Sequence, residues 1–241
     1  MSRMFTVALI GPDGAGKTTV ARRLEDVLEL PVKYLYMGIN PDSSNHLLPT
    51  TRLVRTVKRA RGAKPDAGGP RDSRDLRKPR PKGAARRVLA LAKAPLRLAN
   101  RLAEEWYRQC LAWYHVRRGT IVVFDRHFFS DYYAYDIAGG SERPLSRRIH
   151  GFLLSRVYPA PDLVIYLDAP SDVLLARKGE GTIESLERRR GEYLELAPLV
   201  ENFAVVDASG PLDDVTRGVA ELICRFAATA RVDQGETGLR P

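Results

Sequence analysis

One stretch, Gly11-Pro-Asp-Gly-Ala-Gly-Lys17-Thr18-Thr19, limits what this chain can fold into more than any other. It follows the apolar run Phe5-Thr-Val-Ala-Leu-Ile10 and leads into Val20-Ala-Arg-Arg-Leu-Glu-Asp-Val-Leu28. Strand, glycine loop and helix in that order give the pattern G-x-x-x-x-G-K-[ST] its meaning. Gly11, Gly14 and Gly16 let successive backbone N–H groups turn toward one centre, and the following helix adds its positive end. Lys17 supplies a point charge and Thr18 a hydroxyl for a metal, so the run through Ala15 and Thr19 is expected to cradle ATP with Mg2+. The simpler reading is a glycine turn that ends in Lys-Thr by chance, but motif and flanking pattern agree independently.

The rest of the chain alternates strand and helix signals. Val32–Met37, Thr120–Phe124, Pro161–Asp168 and Phe203–Asp207 read as further buried strands. Helices are expected over Leu47–Ala60, from about Leu91 to Val116, over Tyr132–Ile137, Leu145–Val157, Ser171–Lys178, Ile183–Leu196 and Val215–Ala227. The long helix carries Leu91, Pro95, Leu98, Leu102, Trp106, Cys110, Trp113 and Val116 at steps of three or four, which predicts an inward apolar stripe, kinked or broken at Pro95. Its aromatic residues read as packing rather than as a base-stacking platform. Alternation of this kind requires right-handed crossovers and a parallel sheet. The expected fold is therefore α/β, a P-loop NTPase with a five-stranded parallel sheet flanked by helices, formed as a single domain over 1–241.

Charge divides the chain. Between Thr51 and Arg101 there are 17 Lys/Arg against 3 Asp, while the formal total is +10. Residues 61–83 hold four prolines, four glycines and a single large apolar residue, Leu76. Such a segment buries too little surface to offset the entropy of ordering, so it is expected to be a flexible basic insert. The insert suits an acidic partner or an anionic membrane surface, or is a solvated loop; with no nucleic-acid module beside it, sequence-specific nucleic-acid binding is not expected. Residues 231–241 form a polar tail. Cys110 and Cys224 read as reduced core thiols and the four histidines lack metal-ligand spacing, which predicts a cytoplasmic protein without a zinc site. The N-terminal apolar run is a strand rather than a signal sequence, and no run approaches a membrane span.

Taken in order, the glycine loop, Asp125-Arg126, Pro161-Asp-Leu-Val-Ile-Tyr-Leu-Asp168 and the segment Arg177 to Arg190 resemble the thymidylate kinase family of P-loop phosphotransferases. The resemblance covers roughly residues 4 to 37 and 103 to 225. It implies a kinase with ATP as donor and a small-molecule acceptor, and a homodimer is compatible with it. Lys17 would hold the donor phosphates, while Thr18 and Asp125 would serve the metal. Asp125, at the end of a buried strand, is alternatively a base for the acceptor. Arg126 resembles the family's arginine that grips an acceptor phosphate, a bidentate task suited to guanidinium. Asp13 resembles the loop carboxylate that meets the acceptor's sugar hydroxyl, and Arg177 matches an arginine beside the adenine. Asp168 either senses the metal indirectly or caps the helix near Ser171.

Two stretches depart from the family pattern. Gly179-Glu180-Gly181 carries no lid arginine, so Lys178, Arg188, Arg189 or Arg190 is expected to act on phosphate. Met37-Gly38-Ile39-Asn40-Pro41 replaces the family's Arg-Glu-Pro-Gly-Gly run, and Ser130–Asp136 lacks its base-reading glutamine. Gly38–Asn45 should border the acceptor crevice, as contact or as helix cap. Three readings remain open: a kinase of a nucleoside monophosphate or related small acceptor, a kinase of a sugar or glycolipid-precursor hydroxyl, and a nucleotide-dependent binding or regulatory protein with weak catalysis.

Overall fold

Apolar runs of five or six residues are long enough for buried strands, and here they place the glycine loop at the middle of one sheet edge. The computed structural model describes residues 4–38, 44, 46–60, 62, 84–133, 145–179 and 181–237. Its strands are β1 (Thr6–Ile10), β2 (Val32–Tyr36), β3 (Ile121–Asp125), β4 (Leu163–Asp168) and β5 (Phe203–Asp207). They lie in the order β2-β3-β1-β4-β5, and every adjacent pair is parallel. The order reverses at β1, so the loop after Ile10 emerges at the point where open α/β sheets bind ligands.

Helices connect the strands: α1 (Lys17–Val27), α2 (Pro49–Ala60), α3 (Ala84–Arg117), α4 (Phe128–Tyr132), α5 (Leu145–Arg156), α6 (Ser171–Lys178), α7 (Ile183–Leu194) and α8 (Leu212–Thr237). The backbone gathers into two compact units. One comprises Met1–Tyr36, Leu111–His127 and Ala160–Pro241 and contains the sheet. In it α1 and α8 lie side by side, and Val7, Leu9, Val20, Leu24, Ile165, Leu167, Val219 and Ile223 form a continuous buried cluster. Phe5 and Phe226 close that cluster edge to face at 4.9 Å. Leu24 is fully buried, so Leu24→Ala should cost about 3 kcal/mol.

The other unit comprises Met37–Cys110 and Phe128–Pro159. Among its described residues several polar side chains are buried. The buried Glu105 carboxylate meets His150 Nε2 at 3.0 Å and accepts from the Tyr158 hydroxyl at 3.0 Å. Arg108 donates to the Gly38 carbonyl at 2.9 Å and lies over the Phe128 ring. Rings fill the space around these groups, with Trp106 against Tyr158 at 4.9 Å and Tyr132 edge-on to His150 at 4.6 Å.

Several expectations change here. The inward side of α3 is not the apolar stripe: Glu104, Glu105, Arg108, Gln109 and Ala112 are buried, whereas Trp106 and Trp113 are half-buried and Cys110 is exposed. Periodicity scores apolar residues, but a charged face can be buried when its groups are paired, as Glu105 and Arg108 are. Cys110 and Cys224 are both exposed, so neither is a core thiol. Pro95 lies inside one helix that starts at Ala84, without a break. The final helix runs from Leu212 to Thr237, longer at both ends than the pattern suggested. Apart from Gly62, the insert expected over 61–83 lies outside the described residues, as do 39–43 and 45 of the loop after β2 and 134–144 after α4.

Candidate active site

The glycine loop is shaped by what its backbone must avoid. Gly11 has φ 145°, and a Cβ there would stand 2.5 Å from the Leu167 carbonyl oxygen. Gly14 has φ 94°, and its Cβ would stand 2.6 Å from the Leu174 carbonyl oxygen. Any side chain at either place would force the loop off β4 or α6, so glycine is required on both conformational and steric grounds. The turn closes with the Ala15 amide donating to Pro12 O at 3.3 Å, and left-handed Gly16 starts α1 at Lys17.

Lys17 is buried and turned back over the loop, its ammonium donating to Gly11 O at 2.7 Å and Pro12 O at 2.5 Å. Phosphate oxygens are stronger acceptors for an ammonium than these carbonyls. Thr18 and Thr19 are exposed at the helix start.

Asp125 is the last residue of β3, in register with Leu9 of β1 and Tyr36 of β2. Its Oδ2 accepts from Thr18 Oγ1 at 2.6 Å and from the Tyr34 hydroxyl at 3.0 Å. Burial and the Asp125 charge together push the Tyr34 phenol above its ordinary range, which keeps it a donor. Among the described residues, Asp125 Oδ1 is the buried side-chain polar atom with no hydrogen-bond partner. Native proteins rarely leave such an atom unmatched unless something else fills the place.

Arg126 follows in a left-handed conformation, φ 68°, with its amide bonded to Leu9 O at 3.0 Å. That geometry costs a non-glycine residue about 1–2 kcal/mol, and it turns the guanidinium onto the glycine loop, where it pairs with Asp13. Asp13 collects two more cations, Lys178 Nζ at 3.6 Å and Arg189 Nη1 at 3.5 Å. Burial alone would raise the Asp13 carboxyl, but Arg126, Lys17 and Lys178 outweigh it and hold the group well below the usual carboxylate range. Four cations and two carboxylates thus meet around the loop, a field that attracts anions.

The neighbouring arginines divide their work. Arg190 grips Asp168 with both Nε and Nη2 at 2.8 Å and reaches Glu187 at 2.8 Å, while Tyr166 donates to Asp168 at 2.8 Å. Asp168 is therefore part of a brace between β4 and α7, not the cap of α6, whose first position follows Pro170 without a side-chain bond. Arg188 lies 3.6 Å from Glu192 on its own helix, so of the three consecutive arginines Arg189 is the one brought to Asp13. Arg177 donates to the carbonyls of Ala208 at 2.6 Å and Ser209 at 2.9 Å, beside the loop after β5. The family resemblance implies that Asp13 meets a sugar hydroxyl of the acceptor; in the structure Arg126, Lys178 and Arg189 lie around it. His127, next to Arg126, is buried, and burial pushes its imidazole down to about 4. Sequence reading gave His127 no role, and a lone histidine after Asp-Arg offers no periodic signal to reveal one.

A parallel sheet with its order reversal at β1, a glycine loop ending in Lys17-Thr18 and an acid delivered by β3 together define a P-loop α/β protein of the nucleotide-binding class. The sequence model of the thymidylate kinase family matches residues 90–219, more than half of the chain, and the chain belongs to that family. It is 32% identical over 114 residues to the probable thymidylate kinase 1 of Saccharolobus solfataricus and 33% identical over 116 residues to the probable thymidylate kinase of Archaeoglobus fulgidus. Those matches take in 45% and 46% of this chain and span 57% of the length of each relative. The thymidylate kinase of Caulobacter vibrioides is 29% identical over 236 residues, covering 92% of this chain and 97% of the relative.

Proposed function

We propose that this protein is an ATP-dependent, magnesium-requiring phosphotransferase that acts on a nucleoside monophosphate or a closely related small acceptor. The observation that carries the proposal is the pairing of Thr18 with Asp125 at the mouth of the glycine loop, with one carboxylate oxygen buried and unmatched. A hydroxyl and a carboxylate on adjacent elements are hard oxygen donors of the kind magnesium takes alongside phosphate and water. When bound, the cation would neutralise charge on the donor's terminal phosphates.

The chain's own residues account for the rest. Lys17 exchanges the carbonyls of Gly11 and Pro12 for the donor phosphates, while the loop amides and the start of α1 hold the same oxygens. Arg126, held in its left-handed turn, presents a planar fork to a phosphate on the acceptor. Lys178 and Arg189, both brought to Asp13, would take the part of a lid arginine, and Asp13 holds them together with Arg126. Arg177, fixed to the loop after β5, would border the adenine. In-line transfer needs little beyond such placement and charge neutralisation. Membership of the thymidylate kinase family favours a nucleotide acceptor over a sugar or glycolipid precursor and over a regulatory protein with weak catalysis.

The test is ADP release with magnesium and ATP across deoxynucleoside and ribonucleoside monophosphates, nucleosides, sugars and glycolipid precursors. Turnover with one or more monophosphates and none with free sugars is expected. Turnover confined to a sugar hydroxyl, or tight ATP binding with no turnover on any acceptor, would overturn the reading. Among the described residues no helix is long and apolar enough to cross a membrane. On its family membership we place the protein in the cytoplasm.

A further inference from the structure

Tyr34 lies within β2 and Asp125 at the end of β3. The register pairs Tyr34 with Val123, so Asp125 stands two residues further on, on the same face of the sheet. The tyrosine is buried, and its hydroxyl crosses that diagonal to donate to Asp125 Oδ2 at 3.0 Å. Helix α1 fixes the tyrosine in turn. The Tyr34 amide donates to Glu25 Oε1 at 2.9 Å, and the Arg22 guanidinium lies over the ring, 5.4 Å from its centroid. Phenylalanine or valine would fill the same place in the apolar cluster, so packing alone does not call for a hydroxyl here.

Asp125 has two donors of different character. Thr18 is exposed at the start of α1, next to the loop that a nucleotide would occupy, whereas Tyr34 is buried and held from behind. Both donate to Oδ2, and Oδ1 is left unmatched. Half a turn of the carboxylate would exchange its two oxygens, and the Tyr34 hydroxyl is the buried group that tells them apart. We propose that Tyr34 is a positioning residue for phosphoryl transfer: its hydroxyl fixes Oδ2 and so keeps Oδ1 open as the oxygen that a divalent cation takes. This deepens the magnesium reading given above and rests on it. Holding the acid in place beforehand spares the reorganisation that a freely turning carboxylate would need when the cation arrives.

The experiment is calorimetric titration of the full chain with a non-hydrolysable ATP analogue, in magnesium and in EDTA, for the parent, Tyr34→Phe and Asp125→Asn. Magnesium should tighten binding to the parent, and Asp125→Asn should lose that gain. Tyr34→Phe keeps the ring and removes one hydrogen bond to a charged group, so it should lose about tenfold of the gain while its affinity in EDTA stays within about twofold of the parent. Its kcat should fall by about tenfold at limiting magnesium and recover in part as magnesium is raised, with the acceptor KM unchanged. A cooperative urea transition reports that each variant folds. No magnesium effect in the parent, or one that survives Asp125→Asn, would overturn the metal reading and this proposal with it. A magnesium effect lost in Asp125→Asn but kept whole in Tyr34→Phe would overturn the Tyr34 assignment alone. Equal weakening by Tyr34→Phe in magnesium and in EDTA would also overturn it, since it would leave the tyrosine a packing role only.

Discussion

Thr18 Oγ1 donates to Asp125 Oδ2 across 2.6 Å, and the second oxygen of that carboxylate is buried with no partner. The pair joins the first turn of α1 to the end of β3 without filling the acid's capacity. Asp125→Asn would keep the shape and lose the anionic donor. Its turnover should fall on the order of 100-fold or more, and the magnesium concentration for half-maximal rate should rise. Thr18→Ser keeps a hydroxyl and should stay within a few-fold of the parent, whereas Thr18→Ala should follow Asp125→Asn. Steady-state kinetics over a magnesium series decides this; an unchanged magnesium dependence in Asp125→Asn would remove the metal assignment.

Three consecutive arginines give a direct comparison. Arg189 and Lys178 reach Asp13 in the glycine loop, while Arg188 pairs with Glu192 on the surface of α7. Replacing Lys178 or Arg189 by Met should lower kcat on the order of 10- to 100-fold with little change in the unfolding midpoint. Arg188→Ala should stay within about threefold, because a half-buried ion pair within one helix contributes about 1 kcal/mol or less. The ranking of the three kcat values checks the assignment, and an Arg188 effect larger than the other two would reverse it.

Stability should depend on acid in two separate windows. His127 titrates near 4 in the folded chain against 6.5 when exposed, so the unfolded chain takes up the proton first as pH falls. Stability from the neutral buried imidazole is therefore full above about pH 6.5 and is lost as pH falls toward 4. Asp13 has the carboxylate sign: its folded pKa is depressed, so its contribution is full above the ordinary carboxylate range and is lost only at still lower pH. Urea midpoints between pH 7 and 4 should decline for the parent and flatten in His127→Phe. A parent midpoint that stays level over that interval would contradict the neutral buried ring.

The five strands and the glycine loop were legible because apolar runs bounded by turn residues, and a loop that tolerates only glycine at two places, are written locally. Asp125 and Arg126 were legible for the same reason, standing at the end of a buried run. What could not be read was pairing at a distance. Nothing near Asp13 in the sequence says that Arg126, Lys178 and Arg189, more than a hundred positions away, converge on it. The resemblance that suggested a sugar hydroxyl for Asp13 concerned a bound acceptor. Helix α3 shows the converse failure: its periodicity was real, but Glu105 and Arg108 face inward because their partners come from elsewhere in the chain. A hydropathy pattern has no means of registering a satisfied charge.

The Glu105–His150 contact in the helical unit yields the last prediction. Both side chains are fully buried, and Tyr158 donates to the same carboxylate. Removing one member of such a pair leaves the other without its partner in a low-dielectric interior, so His150→Ala and Glu105→Ala should each destabilise the fold by about 3 kcal/mol. Removing both should cost less than the sum, because neither polar side chain is left without the other; Glu105→Leu with His150→Phe should recover part of the loss by apolar packing against Tyr132. A double-mutant cycle of urea unfolding free energies measures the coupling directly. Strict additivity of the two single changes would show that the buried pair is an accident of packing rather than an interaction that holds α3 to α5.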